Sequence, residues 1–202
     1  MKFMKIYSFL LFFVAVGFAQ AQEEKLVNEN KPFSVGLHYV ANLNNENLLS
    51  ENYNGIAGLD AKYVFASTDV VKFDGGFSFD YLNGSKKGQY GLTYNAMTVI
   101  NPKIGIEVAV FKSGFKPFVS LGYAFVNYSY TIKFNSLQNY DPMFISANSE
   151  KKVKYNESSF SLQPGFRYYF KKLIYLETSY KYLPIDNTIN MHFFNIGLGV
   201  QF

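Results

Sequence analysis

The sequence predicts an all-β chain: an eight-stranded antiparallel up-and-down barrel that spans a membrane. Three observations predict it. From Phe33 onward, apolar and polar residues alternate at period two over most of the chain. The links between the alternating runs are short and long by turns. The composition is apolar without being blocky, with 49% hydrophobic and 19% aromatic residues at a mean hydropathy of −0.04. A helical membrane protein gathers its apolar residues into runs of about 20, whereas alternating strands dilute them.

The 202 residues suit one domain. Cysteine is absent, which excludes disulfides, zinc-thiolate sites and lipid-modified cysteine. The formal charge is +4. No basic run suggests nucleic acid, and a solvated mixed-charge surface accounts for the lysines.

The first segment, MKFMKIYSFLLFFVAVGFAQA, has a basic start, an apolar run from Ile6 to Phe18 and the small-x-small end Ala19-Gln20-Ala21. This is the layout of a cleaved signal peptide. The run has 13 residues, too few for a spanning helix. Residues 1–21 are therefore expected to be removed, leaving Gln22 as the mature start. Loss of Lys2 and Lys5 leaves 17 basic and 15 acidic residues, a net of +2. The polar stretch 22–32 reads as a flexible periplasmic lead-in, and 33–202 as the barrel.

The strands follow in order. FSVGLHYVA puts Phe33, Val35, Leu37, Tyr39 and Ala41 on one face. The second places Ala57, Leu59, Ala61, Tyr63 and Phe65 together. The third has Val71, Phe73, Phe77, Phe79 and Tyr81, and the fourth Ile100 to Val110 at alternate positions. The fifth runs Pro117 to Phe125, the sixth Phe160 to Phe170, the seventh Ile174 to Tyr182 and the last Phe194 to Phe202. Short links are expected at 66–69, 112–114 and 171–172, and long ones at 42–54, 83–95, 135–152 and 183–190. Short turns on one side and longer loops on the other are the habit of outer-membrane barrels, whose turns face the periplasm. Pro102, Pro117 and Pro164 are awkward in central strands and are expected near strand ends or bulges.

Alternation leaves open which face points inward. Volume decides. The apolar face holds about forty side chains, many of them Phe or Tyr. An eight-stranded barrel has an interior just wide enough for its own side chains or one small ligand. The apolar face would overfill it, so it faces lipid. The opposite face carries glycines, serines and a balanced set of charges. Six acids, Asp60, Asp74, Asp80, Glu107, Glu157 and Glu177, share it with six bases, Lys62, Lys72, Lys103, Lys116, Arg167 and Lys181. Buried charges are tolerable only when paired, so these twelve are the expected lumen charge network.

The fifth strand is expected to continue as VNYSYTIKF with its polarity reversed. Val126, Tyr128, Tyr130, Ile132 and Phe134 take the lumen parity, as do Val153 and Tyr155 at the start of the sixth strand. Tyr128, Tyr130, Ile132, Phe134, Val153 and Tyr155 are expected to form an aromatic lid over the barrel mouth, on a hairpin that rises beyond the membrane. A bulge near Val126 would instead leave them outside as a sticky edge.

INPKIGIEV followed by KPFVSLGYAF, with the eight strands and loop asymmetry of Phe33 to Phe202, resembles the small outer-membrane barrels of the OmpA/OmpX-like superfamily, often called porin-family barrels. The resemblance implies a signal in the last strand for the barrel-assembly machinery, and Asn195, Gly197, Val200 and Phe202 match its spacing.

The two histidines, His38 and His192, have opposite parity, and no Ser/His/Asp cluster emerges. No enzyme, cofactor or metal site is expected. The reading is a monomeric outer-membrane barrel, held in lipid, with a charge-paired lumen and surface loops that serve a structural, adhesive or partner-binding role. Two alternatives stand beside it: a narrow pore for ions or small solutes, and a soluble periplasmic ligand binder of lipocalin type.

Overall fold

The computed structural model describes residues 32–43, 51–85, 92–109, 114–134, 149–170, 173–186 and 189–202. The expected leader and all but the last residue of the lead-in lie outside them. Nine strands follow one another: β1 Phe33–Asn42, β2 Tyr53–Ser67, β3 Val71–Gly84, β4 Leu92–Tyr94, β5 Met97–Val108, β6 Phe115–Phe134, β7 Ser149–Tyr169, β8 Ile174–Asp186 and β9 Ile189–Gln201. Eight of them close an antiparallel ring, β1-β2-β3-β5-β6-β7-β8-β9, with β9 returning to β1. Closure satisfies the strand edges, as a chain in lipid requires.

The first and last strands seal the ring. Phe33 N donates to Phe202 O at 3.0 Å and Phe202 N to Phe33 O at 2.8 Å. The start of β1 and the end of β9 therefore lie together on the side of the short links, the periplasmic side of such barrels.

Four features depart from the sequence reading. The stretch 83–95 is not all loop, because β4 pairs with β6 at Tyr94↔Tyr130 and Leu92↔Ile132. β4 continues the course of β5 along β6 after a one-residue slip at Asn95-Ala96. The stretch 183–190 is mostly strand, leaving only residues 187–188 between β8 and β9. The expected link 135–152 is shorter, because β7 already begins at Ser149. Finally, only Pro117 lies near a strand end. Pro102 and Pro164 sit in strand interiors, where the β5–β6 ladder skips from Ile100 to Lys103 and the β7–β8 ladder from Leu162 to Gly165. Neither gap changes the register, so each proline costs one missing donor rather than a bulge.

The outward faces carry the large apolar residues. Leu37, Ile104, Leu121, Phe160 and Leu198 are all more than half exposed. Along β7 and the residue after it the outward apolar run lasts from Phe160 to Phe170, and toward the start of β7 it turns polar at Ser158, Asn156, Lys154 and Lys152. Ten residue steps on a tilted strand give a band about 25 Å tall, the height of a lipid core. On β6 the same boundary falls after Phe125, where Asn127 follows. β6 and β7 continue well above it.

Candidate functional site: the barrel lumen and its mouth

The lumen has two layers. The periplasmic half is ionic. Arg167 on β7 is its hub: Nη1 lies 2.6 Å from Glu107 and 3.5 Å from Asp74, and Nε lies 2.8 Å from Glu177. Lys62 reaches Glu177 at 2.6 Å and Asp60 at 3.1 Å. Lys103 binds Asp60 and donates to Gln163 at 3.0 Å. Lys116 stands 3.8 Å from Glu107. Lys181 donates to Asp80 at 2.6 Å, and His38 Nε2 lies 2.7 Å from the other oxygen of that carboxylate. Aromatic faces close the gaps. The Arg167 guanidinium lies 4.1 Å from the Phe118 ring centre and the Lys116 ammonium 4.7 Å from that of Tyr169.

The structure thus brings ten of the twelve expected charges into ion pairs. Lys72 lines a recess at the periplasmic mouth beside Asp74 and Glu107. Glu157 stands higher, near Tyr128. Among the described residues neither forms an ion pair.

The outer half of the lumen is apolar, which the sequence reading missed. Val40, Leu82, Met97, Val99, Ala124, Val126, Leu183, Met191 and Phe193 are fully buried there in one cluster with Tyr53, Tyr94 and Tyr128. The signal was present as parity. Val40, Leu82 and Val99 share the lumen parity of His38, Asp80 and Asn101, two positions nearer the outer mouth.

The β6–β7 hairpin keeps one register from Phe115↔Tyr168 to Phe134↔Ser149, with no bulge at Val126. Val126 and Tyr128 therefore point inward and are buried. Tyr128 stacks on Tyr155 at 5.1 Å, and Tyr130 and Tyr155 share a hydroxyl contact at 3.1 Å. Tyr130, Tyr155 and Leu92 pack against the apolar cluster. Ile132 and Val153 are half-buried on the same face, while the side chain of Phe134 lies outside what the structure describes.

In the last strand, Asn195 faces inward and is buried, and Gly197 touches β1 closely. Val200 and Phe202 face outward. His38 and His192 stand on opposite faces, the latter bonded to Tyr180.

With this geometry in view, the family model of the outer membrane protein beta-barrel domain matches residues 8–202. The chain belongs to that family. It is an outer-membrane β-barrel protein of the Gram-negative type. Among solved structures, this barrel is similar to Ail, the attachment invasion locus protein of Yersinia pestis. Identity is 13%, over 85% of this chain and 97% of that one, with a TM-score of 0.56. It is equally similar to Neisserial surface protein A, at 12% identity over 84% of this chain and 97% of that one, with a TM-score of 0.56. Ail has also been solved in complex with a heparin analogue, sucrose octasulfate. At such identities the likeness shows the shared fold. No curated protein matches the chain.

Proposed function

We propose that this outer-membrane barrel is a closed surface protein, with a structural, adhesive or partner-binding role and no catalytic one. The observation that carries the reading is the double filling of its bore. The ionic layer packs ten paired charges into the periplasmic half, and the apolar layer fills the outer half with fully buried side chains. An eight-stranded barrel is just wide enough to be filled by its own side chains. The bore is thereby a core, and function moves to the hairpin that rises above the lipid.

In this reading residues 1–21 are removed on export, 22–32 form the periplasmic lead-in, and the mature chain is a monomer. Asn195, Gly197, Val200 and Phe202 serve the assembly machinery. Tyr128, Tyr130, Ile132, Val153 and Tyr155 cap the mouth. The Ail complex supports external ligand binding by precedent of fold.

Planar-bilayer recording of the purified mature protein tests the closed bore. The expected result is a flat baseline from a sample that shifts on a gel after boiling. Discrete conductance steps would replace this reading with a narrow pore.

A further inference from the structure

The periplasmic half of the bore holds one more base than acid. Among the described residues its bases are Lys62, Lys72, Lys103, Lys116 and Arg167, against Asp60, Asp74, Glu107 and Glu177. Lys72 is the base left over. It stands opposite Glu107 in the β3–β5 ladder and is half-buried. Yet among the described residues no carboxylate comes within ion-pair distance of it, because Glu107 is held by Arg167 and Lys116. A surplus charge in a space poor in water is costly, and an anion that fits there offsets the cost.

The surplus meets the small recess at the periplasmic mouth. The charged lining of this recess is Lys62, Lys72, Asp74, Glu107 and Arg167, and it has room for about one water-sized group. Its two acids are already turned to other partners. Glu107 accepts from Arg167 Nη1 at 2.6 Å and from the Tyr169 hydroxyl at 3.0 Å through Oε2, while Oε1 faces Lys116 at 3.8 Å. Asp74 turns Oδ2 toward Arg167 and Oδ1 over Gly105, where a Cβ would lie 2.6 Å from it. Arg167 Nη2 is left buried without a hydrogen-bond partner among the described residues. A buried donor of this kind calls for an acceptor.

The chain's own lead-in meets the barrel at the rim of this recess. Val64 N donates to Pro32 O at 2.7 Å, and Val64 and Ser34 both line the recess. Upstream of Pro32 the lead-in carries three acids, Glu23, Glu24 and Glu29, against two bases, Lys25 and Lys31. Glu29 is the nearest acid, three residues from Pro32, a reach of up to about 10 Å. Its carboxylate has the charge the bore lacks, and one of its oxygens matches the room available. So short a tether holds it at a local concentration on the order of millimolar or above. We propose that the periplasmic recess is a carboxylate site and that Glu29 of the lead-in occupies it, bound by Lys72 and by Arg167 Nη2. The lead-in is thereby strapped across the periplasmic end of the bore. The site stands apart from the closed-bore reading, since it concerns the lead-in whether or not the bore conducts.

The test uses the mature protein in lipid nanodiscs, with Asn28→Cys carrying a nitroxide spin label. In the otherwise wild-type chain the label is expected to be mostly immobile. Glu29→Gln and Lys72→Gln are each expected to raise its mobile fraction at least threefold, whereas Glu23→Gln leaves it unchanged. Glu29→Lys with Lys72→Glu exchanges the two charges and is expected to restore the immobile spectrum. If the exchanged variant loses heat-modifiability, Glu29→Gln decides, because residue 29 lies outside the barrel strands. Acetate is expected to free the label only at millimolar concentrations or above, where it rivals the tether. A label equally mobile in wild type and Glu29→Gln overturns the proposal. So does a label freed by Lys72→Gln but not by Glu29→Gln, which would seat a different acid in the recess. Release by acetate at micromolar concentrations would mark a site for a free carboxylate, and overturns the assignment to Glu29.

Discussion

Lys181 on β8 and Asp80 on β3 meet across the bore at 2.6 Å, and neither side chain has any solvent exposure. Asp80 also holds His38 on β1. One carboxylate thus ties three strands together at the boundary between the ionic and apolar layers.

Asp80→Asn is expected to strand Lys181 without its counter-charge in a dry site. Removing one partner of such a pair costs about 3–5 kcal/mol. Asp80→Asn with Lys181→Met removes both charges and is expected to recover most of that loss. Exposed Lys154→Ala is expected to shift stability by no more than about 0.5 kcal/mol. Urea unfolding in lipid, followed by the boiled and unboiled gel bands, checks all three. A double variant no better than the single one would contradict the pairing argument.

The two lumen layers act in series. Arg167→Gln disturbs the contacts to Glu107 and Glu177, yet leaves the apolar layer shut. Phe193→Ala with Leu183→Ala opens space above while the ions still block below. Each change alone is expected to stay silent in bilayer recordings, and the combination to conduct. Conductance from Arg167→Gln alone would show that the apolar layer does not seal.

Much of this was legible in the sequence, for a physical reason. A strand in lipid must show apolar residues outward at every second position, so Phe160 to Phe170 announces both a strand and its facing. Charges such as Arg167 and Glu177 stand out because lumen parity offers them no solvent. The outer layer was harder to read. Val40 and Leu82 are apolar on the inward face, which breaks the simple rule of polar lumen and apolar exterior, and only their height along the strand explains them. β4 and the tight β8–β9 link were hidden because Gly, Asn and Pro near Tyr94 and Pro184 look like loop residues. There they mark a slipped ladder and a missing donor instead.

Single cysteines can map the mouth cleanly, because the chain has none of its own. Val126→Cys is expected to resist a water-soluble maleimide in intact membranes, since Val126 has no exposed surface. Asn127→Cys, one residue on, faces outward just above the lipid band and is expected to react readily. Tyr128→Cys should again be protected. The alternation must persist up to that residue if the hairpin keeps its register over the mouth. Uniform labelling of all three would mean that the aromatic cap opens in the membrane.

Folding and assembly can be separated at the last strand. A Cβ on Gly197 would lie 2.3 Å from the Leu37 carbonyl oxygen and 2.7 Å from His38 Cα. Backbone cannot yield that much, so Gly197→Ala is expected to fail even in detergent refolding, where no cellular machinery takes part. Phe202 is different. It is 59% exposed and its ring stacks beside Phe33 at 6.3 Å. Phe202→Ser is expected to refold in detergent nearly as well as wild type, because little burial is lost. In cells the same variant is expected to lose most of its heat-modifiable outer-membrane form. The comparison of refolding yield with assembled yield reads the two roles apart. Normal assembly of Phe202→Ser in cells would leave Phe202 as an interfacial packing residue and remove it from the assembly signal.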